Sequence, residues 1–380
     1  MNAAVMTEPG SNPMELLTVA AYARQVRPLL PPDAFAPARS RALWIPTHYA
    51  IIAALIWLLA SGHVPWPLWP LVSLAIGGSM GGVTFVAHEA LHGGVVRGRM
   101  AIRVIGWLGF LPFCISPQLW MAWHNRVHHN HCGQPSIDPD MYPTLTKYQA
   151  SRRSRVMADY FGLGRRRFRG IASLLFGLTG QSLQVMLSAR RTGMLTPHLH
   201  RRAIVEAVMG VAVWAAVASL VGATAFVFVY VLPLMVANAV VMTFIVTNHN
   251  LSPFAPVNDP LFNSLSVTLP RVLEWLTLDF GFHVEHHLFP AMSHRQGRVV
   301  REVLRARFPE RYQSLPLTEA IRRLHNTARV YRDATTLIDP HSGQTWSTLL
   351  PRPSAGRAQP EARAPARGSE AAERGTRGIQ

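Results

Sequence analysis

The sequence predicts an all-α membrane protein: four transmembrane helices in two hairpins, with interfacial helices and a cytoplasmic helical cap. Three observations support this prediction. Residues 207–247 contain no Asp, Glu, Lys or Arg, and this stretch is about twice as long as one bilayer-spanning helix requires. The 37 Lys and Arg residues outnumber the 20 Asp and Glu residues, and arginines flank the apolar segments. Eight of the 17 histidines fall in three short stretches outside the predicted spans.

The two helices of the first predicted hairpin cover about residues 45–62 and 66–87. Its first helix contains the apolar run IIAALIWLLA, and Trp44 and Trp66 supply aromatic anchors at opposite membrane interfaces. About 22 residues of helix from Trp66 measure roughly 33 Å, so we expect His88 to emerge on the same face as the N-terminus. Small residues on the second helix are expected to let a neighbouring helix approach closely: Gly77, Gly78, Gly81 and Gly82.

The two helices of the second predicted hairpin cover about residues 204–221 and 223–247, with the turn near Gly222. Its second helix begins at Ala223 and reaches His249 after roughly 39 Å at the standard helical rise. Because the hydrocarbon layer is about 30 Å thick, this helix should protrude beyond it. We therefore expect His249 to lie in the same cap as the other clustered histidines.

Two further apolar stretches are predicted not to cross the membrane. If residues 104–120 crossed, His92 and His124 would lie on opposite sides of a layer roughly 30 Å thick and could not contribute to one site. Residues 171–189 have basic groups on both sides, so a crossing would defeat the charge asymmetry. We expect the first stretch to be re-entrant or interfacial and the second to lie along the membrane surface.

The predicted domains follow in chain order: an N-terminal cytoplasmic arm (1–41), a membrane-embedded domain (42–350) whose cytoplasmic cap comprises 88–203 and 248–350, and a disordered tail (351–380). The arm is rich in Pro, Ala and Arg and is expected to be poorly ordered or to lie on the surface. Hydrophobic patterning predicts helices over 296–308 and 318–331. The tail has no apolar period, which is typical of disorder.

Composition excludes several classes of protein. The two cysteines, Cys114 and Cys132, rule out a disulfide scaffold and a thiolate-bound iron–sulfur cluster, and they favour a reducing compartment. A formal net charge of +17 would suit nucleic-acid binding, but no aromatic and basic binding module is recognisable. We therefore expect no nucleic-acid partner, and we attribute the charge to positive-inside topology in a lipid bilayer.

Three histidine boxes carry the functional signal. They contain, in order, His88 and His92; His124, His128 and His129; and His283, His286 and His287. On a helix, residues three or four apart share a face, so each box can point its ring nitrogens at one place. Eight buried imidazoles would each need partners for two nitrogens, which favours metal binding. His249, in the sequence TNHN, is a further candidate that rests on a single residue.

Eight or nine ring nitrogens exceed the roughly four ligands of one zinc ion, so the pattern predicts two metal ions. Imidazole suits Fe, Zn, Cu and Ni alike, so the ligand type leaves the metal open. His131, beside Cys132, is a weaker candidate ligand. The isolated histidines are expected to be interfacial or solvated: His48, His63, His198, His200, His294, His325 and His341.

The order HxxxH, HxxxHH and HxxHH, with a double membrane span before the last box, resembles the integral-membrane fatty acid desaturase and hydroxylase superfamily. The resemblance extends from about Trp44 to His325, and the three boxes are specific only in combination. It implies that the eight box histidines hold a di-iron centre and that His249 matches an extra ligand of some members. In the acyl-CoA desaturase branch an Asn precedes that histidine by one turn, whereas this chain has Ile245.

The resemblance implies chemistry with O2 as co-substrate and two Fe ions (Fe2+/Fe3+) as cofactor. We expect an oxidoreductase that introduces a C=C bond into a long fatty acyl chain carried on CoA, carrier protein or lipid. The sequence has no His-Pro-Gly-Gly stretch of a fused cytochrome b5 domain, so electrons are expected from a separate donor such as ferredoxin or cytochrome b5. Such donors are commonly acidic, and the basic residues between Arg152 and Arg169 could steer one in. No catalytic residue beyond the metal ligands is identified.

The resemblance also implies a multi-pass protein, expected in the bacterial inner membrane, with both termini and the metal site cytoplasmic. Other functions remain open at this point. Hydroxylases and ketolases of carotenoid, alkane or sphingolipid chains use similar boxes. The segment from His88 to His92 is also an HExxH motif of zinc proteases, which would leave at least five clustered histidines unexplained. A membrane metal carrier would need polar residues within the spans, which offer almost none.

Overall fold

The structure, a computed structural model, describes residues 4–5, 14–165 and 168–350. It is mostly helical, as the sequence predicts. The helices are α1 Val19–Val26, α2 Trp44–Ala60, α3 Trp69–Leu91, α4 Arg99–Phe110, α5 Pro117–His131, α6 Leu145–Ala150, α7 Arg152–Tyr160, α8 Ile171–Ser188, α9 Pro197–Val221, α10 Ala223–His249, α11 Pro260–Asn263, α12 Arg271–Leu276, α13 His283–Leu288, α14 Gly297–Arg307 and α15 Leu317–Asn326.

Short strands form three small sheets. The strands are β1 Ala4–Val5, β2 Met14–Glu15, β3 Ser266–Thr268, β4 Ser314–Pro316, β5 Val330–Tyr331, β6 Thr336–Ile338 and β7 Thr345–Ser347. Strands β1 and β2 pair antiparallel, β3 and β4 pair parallel, and β5, β6 and β7 form an antiparallel meander. The first sheet lies in the N-terminal arm, and the other two connect parts of the cap.

Five helices are long and apolar enough to cross a membrane, within the described ranges. Four of them coincide with the predicted spans, and the fifth is α8, which was expected to lie along the surface. A bent pair formed by α4 and α5 would make a sixth if it crossed. Length and composition therefore allow more spans than four, and the four-span arrangement remains a prediction.

Helix α9 begins at Pro197, earlier than the predicted start near residue 204. The Thr196 side chain accepts a hydrogen bond from the backbone N–H of Leu199, and Pro197 occupies the first turn, where its missing N–H costs nothing. The helix ends at Gly222, whose φ of 80° turns the chain into α10. The predicted position of this turn is therefore confirmed.

Helices α3 and α10 pack closely because α3 carries glycine where they cross. A Cβ added at Gly77 would lie 2.5 Å from the Cβ of Val236, and one added at Gly81 would lie 3.4 Å from a methyl of Val240. A Cβ at Gly78 would meet nothing within 4 Å. Gly77 and Gly81 thus let a neighbouring helix approach closely, as predicted, and that helix is α10, whereas Gly78 faces open space.

The chain bends by 100° between α4 and α5. Cys114 has a φ of 53°, and the Ser116 hydroxyl accepts the backbone N–H groups of Gln118 and Leu119 at the start of α5. The ligand atoms of His92, before α4, and His124, within α5, lie within 4.8 Å of each other. The segment between them therefore leaves the histidine cluster and returns to it.

Helix α8 packs against α10 and against the cap. The Oδ1 of Asn238 accepts the backbone N–H of Thr179 at 3.1 Å, and its Nδ2 donates to the Thr179 hydroxyl at 2.9 Å. Two residues further along α8, the Nε2 of Gln181 donates to Asp140 Oδ1 at 2.6 Å. The middle of α8 therefore lies beside the cap loop that follows α5.

The N-terminal arm is attached to the cap through α1. Tyr22 and Val26 are fully buried, and the Tyr22 ring meets the edge of Phe308 at 5.0 Å between centroids. The backbone N–H of Leu17 donates to a carboxylate oxygen of Asp259 at 2.9 Å. These contacts fix residues 17–26 against the cap rather than leaving them free in solvent.

Sequence patterning predicted the extent of α14 well and that of α15 poorly. Helix α14 matches the predicted range within one residue at each end. Helix α15 ends at Asn326, because Thr327 adopts an extended conformation and Val330–Tyr331 pairs with β6 instead. The prediction of helix to Tyr331 is wrong, since these two buried residues belong to a strand. The predicted disordered tail lies outside the described residues.

Candidate metal centre

Four segments bring the nine candidate histidines to one place. They are the end of α3 with His88 and His92, α5 with His124, His128 and His129, the end of α10 with His249, and α13 with His283, His286 and His287. Within α5, the stretch Met121–His128 is π-helical, and the N–H of His129 donates to the carbonyl of His124. Such wider turns recur at functional sites, and here one aims all three histidines of the box inward.

The ligand atoms of five histidines form a first group within 4.8 Å of one another: His88, His92, His124, His129 and His286. The Nε2 of His124 lies 2.9 Å from that of His88 and 3.1 Å from that of His129. The Nε2 atoms of His129 and His286 are also 3.1 Å apart. Two nitrogens bound to one metal at about 2.1 Å and at right angles are about 3 Å apart, so these separations suit ligands of a shared ion.

The other four histidines form a second group. The ligand atoms of His128, His249 and His287 lie within 4.8 Å of one another and of the Cys132 thiol. The Nε2 of His283 is 2.7 Å from that of His249 and 3.1 Å from that of His287. The Cys132 Sγ faces the opposite ring nitrogen of His249, Nδ1, at 3.6 Å, so it contacts the outer side of this imidazole.

The two groups adjoin each other. The rings of His129 and His287, one from each group, stack with centroids 4.4 Å apart. The nine histidines thus divide into five and four around two neighbouring points. Their number and division suit two metal ions rather than one.

For most cap imidazoles, burial favours the neutral form that binds metals. It lowers the pKa of His92 to about 3 and the pKa values of His286 and His287 well below the ordinary value. His128 is an exception, because the carboxylates of Asp138 and Asp140 outweigh the effect of its burial and raise its pKa to about 9. Within the described part of the chain, the Nε2 atoms of His92 and His128 are buried without a hydrogen-bond partner. Buried polar atoms are normally paired, so these nitrogens fit a site that holds metal ions.

Two carboxylates orient His128 from outside the cluster. Its Nδ1 lies 2.9 Å from Asp138 Oδ1 and 3.3 Å from Asp140 Oδ2. Asp138 is held in turn by the backbone N–H groups of Gly133 at 2.8 Å and Asp140 at 3.0 Å. Histidines that bind metals commonly donate their other N–H to a carboxylate, which fixes the ring and exposes Nε2.

His294 is a member of the centre that sequence reasoning missed. It was expected to be interfacial or solvated, which is wrong: it is buried, and its Nε2 lies 2.9 Å from the Nδ1 of His286. It follows His287 by seven residues, beyond Pro290, so no helical spacing ties it to the third box. Asp138 and Asp140 were missed as partners of His128 because a polar loop after a helix is ordinary. Their position just beyond the second box is the signal that could have found them.

The glutamate of the HExxH motif is committed to an ion pair. Glu89 is 1% exposed and accepts hydrogen bonds from Arg41 Nη1 at 2.6 Å and from the Ser293 hydroxyl. Arg41 also pairs with Asp279, so this network joins α3 to the cap. A carboxylate held in this way is not free to act as a general base on a metal-bound water, which argues against the zinc protease.

A narrow, largely enclosed cavity adjoins the histidines. Besides histidines from both groups, its lining includes the polar side chains of Asp140 and Gln181. Its walls are otherwise mainly apolar and aromatic: Phe85, Phe110, Trp120, Val241, Ile245 and Phe280. The cavity can therefore present an apolar substrate to the centre with little water present.

Fold and site together define a class: helical proteins with membrane-length apolar helices and a histidine cluster that can hold metal ions. Residues 64–317 match the family model described as fatty acid desaturase. The chain belongs to the fatty acid desaturase family, which confirms the resemblance seen in its histidine boxes. Membership implies an oxidoreductase that acts on fatty acids.

Three curated relatives illustrate the similarity. A dihydrorhizobitoxine desaturase of Bradyrhizobium elkanii is 35% identical over 105 residues, which cover 26% of this chain and only 28% of that protein. A fatty acid conjugase of Calendula officinalis is 21% identical over 77% of this chain and 85% of its own length. An sn-1 oleoyl-lipid 12-desaturase of Synechocystis sp. is 24% identical over 69% of this chain and 75% of its own.

Proposed function

We propose that this protein is an O2-dependent fatty acyl desaturase whose nine clustered histidines hold two iron ions. One observation carries the proposal: histidines from four separate segments converge on two adjoining points, with ring nitrogens 2.7–3.1 Å apart. Family membership favours iron over the other metals that imidazole accepts. The proposed ligands are His88, His92, His124, His129 and His286 for one ion and His128, His249, His283 and His287 for the other.

The reaction converts –CH2–CH2– and O2, with two electrons and two protons, into –CH=CH– and two waters. The bound iron ions supply the reduction of O2 and the oxidising power to remove hydrogen from an unactivated carbon. The protein's own part is positional. The apolar cavity holds the acyl chain beside the histidines and excludes water, while Asp138 and His294 hold the imidazoles of His128 and His286 in place.

Four transmembrane spans, α2, α3, α9 and α10, are part of the proposal, with the histidines and cap on the cytoplasmic side of a bacterial inner membrane. The contacts of α8 support its placement along the cap. Gln181 in its middle reaches Asp140, and Met194, just after it, accepts a hydrogen bond from Arg126. A helix whose middle and C-terminal flank both touch cap segments is better accommodated along the membrane surface than across it.

The electron donor is proposed to be a separate protein, such as a ferredoxin or cytochrome b5. Exposed arginines of α7, including Arg152 and Arg153, give the cap a basic surface that suits an acidic donor. The same charges also fit positive-inside topology and anionic lipid. The donor therefore has to be identified by reconstitution with candidate proteins.

The decisive experiment is expression in a bacterium whose lipids are saturated, followed by gas chromatography of total acyl chains. We expect new monounsaturated chains that require air and that disappear when His124 and His287 are replaced by Ala. Purified protein should contain about two irons per chain. An unchanged acyl profile with oxidised carotenoid or alkane would instead identify a hydroxylase or ketolase, and one zinc per chain with peptide hydrolysis would identify a protease.

A further inference from the structure

An apolar groove of about 690 Å³ runs along the outer side of α3 and α10, apart from the cavity at the histidines. Pro70 and Leu74 of α3 form one wall, and Val236 and Val240 of α10 form the other. Side chains of the cap close its upper end: Leu269, Leu273, Thr277 and Leu317. The groove therefore begins among the proposed membrane spans and ends under the cap.

The groove offers no free hydrogen-bonding hydroxyl to an occupant. Ser73 donates to the carbonyl of Phe228, and Thr243 donates to that of Ala239, each at 2.7 Å. Thr277 donates to the carbonyl of Leu273, also at 2.7 Å. The remaining lining residues are apolar, so the groove suits a hydrocarbon chain.

Three packed aromatic rings separate the groove from the cavity at the metal centre, and Phe244 is the ring on the groove side. Phe244 lines the groove, and its ring packs 5.6 Å from Phe85 and 5.5 Å from Phe280, both of which line the cavity. Phe280 in turn lies 4.9 Å from the His88 ring. Phe244 therefore has to move for the groove to join the cavity, and none of the three rings is a proposed metal ligand.

An arginine lies in sequence between Leu269 and Leu273, two residues that line the upper end of the groove. Helix α12 exposes Val272 and Trp275, while its Leu273 lines the groove, as is typical of a helix lying in the membrane interface. Its first residue, Arg271, is exposed, and no acidic partner is assigned to it within the described residues. A phosphate above an acyl chain in the groove would meet this guanidinium.

We propose that the groove binds one acyl chain of a bilayer phospholipid, with the phosphate at Arg271, and that Phe244 is the partition through which this chain reaches the metal centre. This inference rests on the proposed function and deepens it. It assigns the substrate as a lipid-linked acyl chain that enters sideways from the membrane, rather than an acyl chain carried on CoA or carrier protein.

The test uses full-length protein in nanodiscs that contain phosphatidylglycerol with a photoreactive diazirine in one acyl chain. After irradiation, mass spectrometry of peptides should find adducts on Leu74, Val236 and Val240 at about ten times the yield on Val208 and Val211 of α9. The latter residues are exposed and report ordinary contact with surrounding lipid. Equal yields on the two faces would overturn the proposal.

Two substitutions make the test specific to the groove. Ala239→Phe fills it and should reduce groove adducts about tenfold, whereas Ala215→Phe on the exposed face of α9 should not. Thermal midpoints of both variants confirm that each is folded. Phe244→Ala should add adducts on Val241 and Ile245, which line the cavity. Groove adducts unaffected by Ala239→Phe would contradict the proposal.

Labelling is read without turnover, so it separates this proposal from the proposed function. If groove adducts form in a protein that desaturates no acyl chain, the lipid-binding groove would stand and the proposed desaturase function would be wrong. The protein could instead desaturate soluble acyl-CoA or acyl carrier protein, with adducts from those probes in the cavity and none in the groove. That result would support the desaturase function and contradict entry of the acyl chain from the membrane.

Discussion

Each imidazole in the cluster has two ring nitrogens, and both need a partner once the ring is buried. One nitrogen faces the proposed metal, and the protein provides a partner for the other in three cases: carboxylates for His128, the thiol of Cys132 for His249, and a second imidazole for His286. Among the described residues, the Nδ1 atoms of His88, His129 and His287 are buried without a hydrogen-bond partner. These outer contacts decide which nitrogen faces inward, and they are therefore as necessary to the centre as the ligands.

The His294 imidazole provides a direct test of this role. His294→Ala should lower metal affinity by about 10–100-fold, because it removes the partner that orients His286. The measurement is iron per chain after dialysis against chelators of graded strength, together with the Mössbauer spectrum of the iron that remains. His63→Ala, at an exposed histidine, is the matched control and should leave both unchanged. Unaltered iron retention and spectrum in His294→Ala would show that His294 only fills space.

The sequence pointed to the nine converging histidines, eight by their spacing in the boxes and His249 by the length of the helix before it, but not to their outer partners. The box histidines can be recognised in the sequence because residues one helical turn apart are also close together along the chain. His294 and Asp138 reach the centre through loops, whose course depends on tertiary packing. Cys132 was considered only in connection with His131, whereas it is His249, distant in sequence, that it contacts.

Helix contacts within the membrane depend on shape, because lipid is as apolar as the side chains that meet there. The α3–α10 crossing shows this clearly. A Cβ at Gly77 would lie 2.5 Å from Val236 Cβ and 2.7 Å from the Pro233 carbonyl, while Gly78, one residue on, faces open space. Two adjacent glycines thus differ in nothing but their orientation on the helix.

Gly77→Ala should therefore destabilise the protein, and Gly78→Ala should not. Forcing a methyl group into a close-packed site costs about 1–3 kcal/mol, whereas alanine in an open helical position is neutral or slightly favourable. The thermal midpoint of each variant in the same detergent measures the difference. Equal midpoints would mean that α3 and α10 do not approach as closely as the structure has them.

Spans could be predicted from hydropathy because length and the absence of charge are visible locally. Segments at the boundary between membrane and water could not be assigned so readily. Helix α8 is apolar enough to cross the membrane. Helix α12 is too short to be recognised from hydropathy, although its exposed Trp275 is typical of a helix at the membrane interface. The end of α15 was misjudged because Val330 and Tyr331 continue an apolar pattern whose strand partner, β6, lies further along the chain.

The four-span arrangement makes a prediction about the sides of the membrane. Cysteines introduced at Arg153 and Thr192, which flank α8, should both react with an impermeant maleimide added from the cytoplasmic side, and a cysteine at His63 should react from the other side. The wild-type chain, with Cys114 half-buried and Cys132 buried, is the background control. Labelling of positions 153 and 192 from opposite sides would mean that α8 crosses the membrane and that the proposed topology is wrong.

The proposed metal ions also connect parts of the molecule that are far apart in sequence. Each group takes histidines from three of the four segments α3, α5, α10 and α13. Binding to the folded state alone stabilises it by about 2.7 kcal/mol per site when the free ion exceeds its dissociation constant 100-fold. Without ions, the same imidazoles remain buried with nitrogens that lack partners. The cap should therefore depend on metal for its stability as well as for activity.

Chelation should accordingly lower the thermal midpoint by several degrees and expose the cap to protease before the spans, because the spans are packed independently of the histidines. Adding either Fe2+ or Zn2+ should restore the midpoint, since imidazole accepts both, whereas only Fe2+ should restore O2-dependent desaturation. The variant with His124 and His287 both replaced by Ala is the control, and its midpoint should respond little to chelator. If chelation removed the metal from wild-type protein without changing its midpoint, the cluster would be preformed by packing alone and the coupling between metal and fold would be wrong.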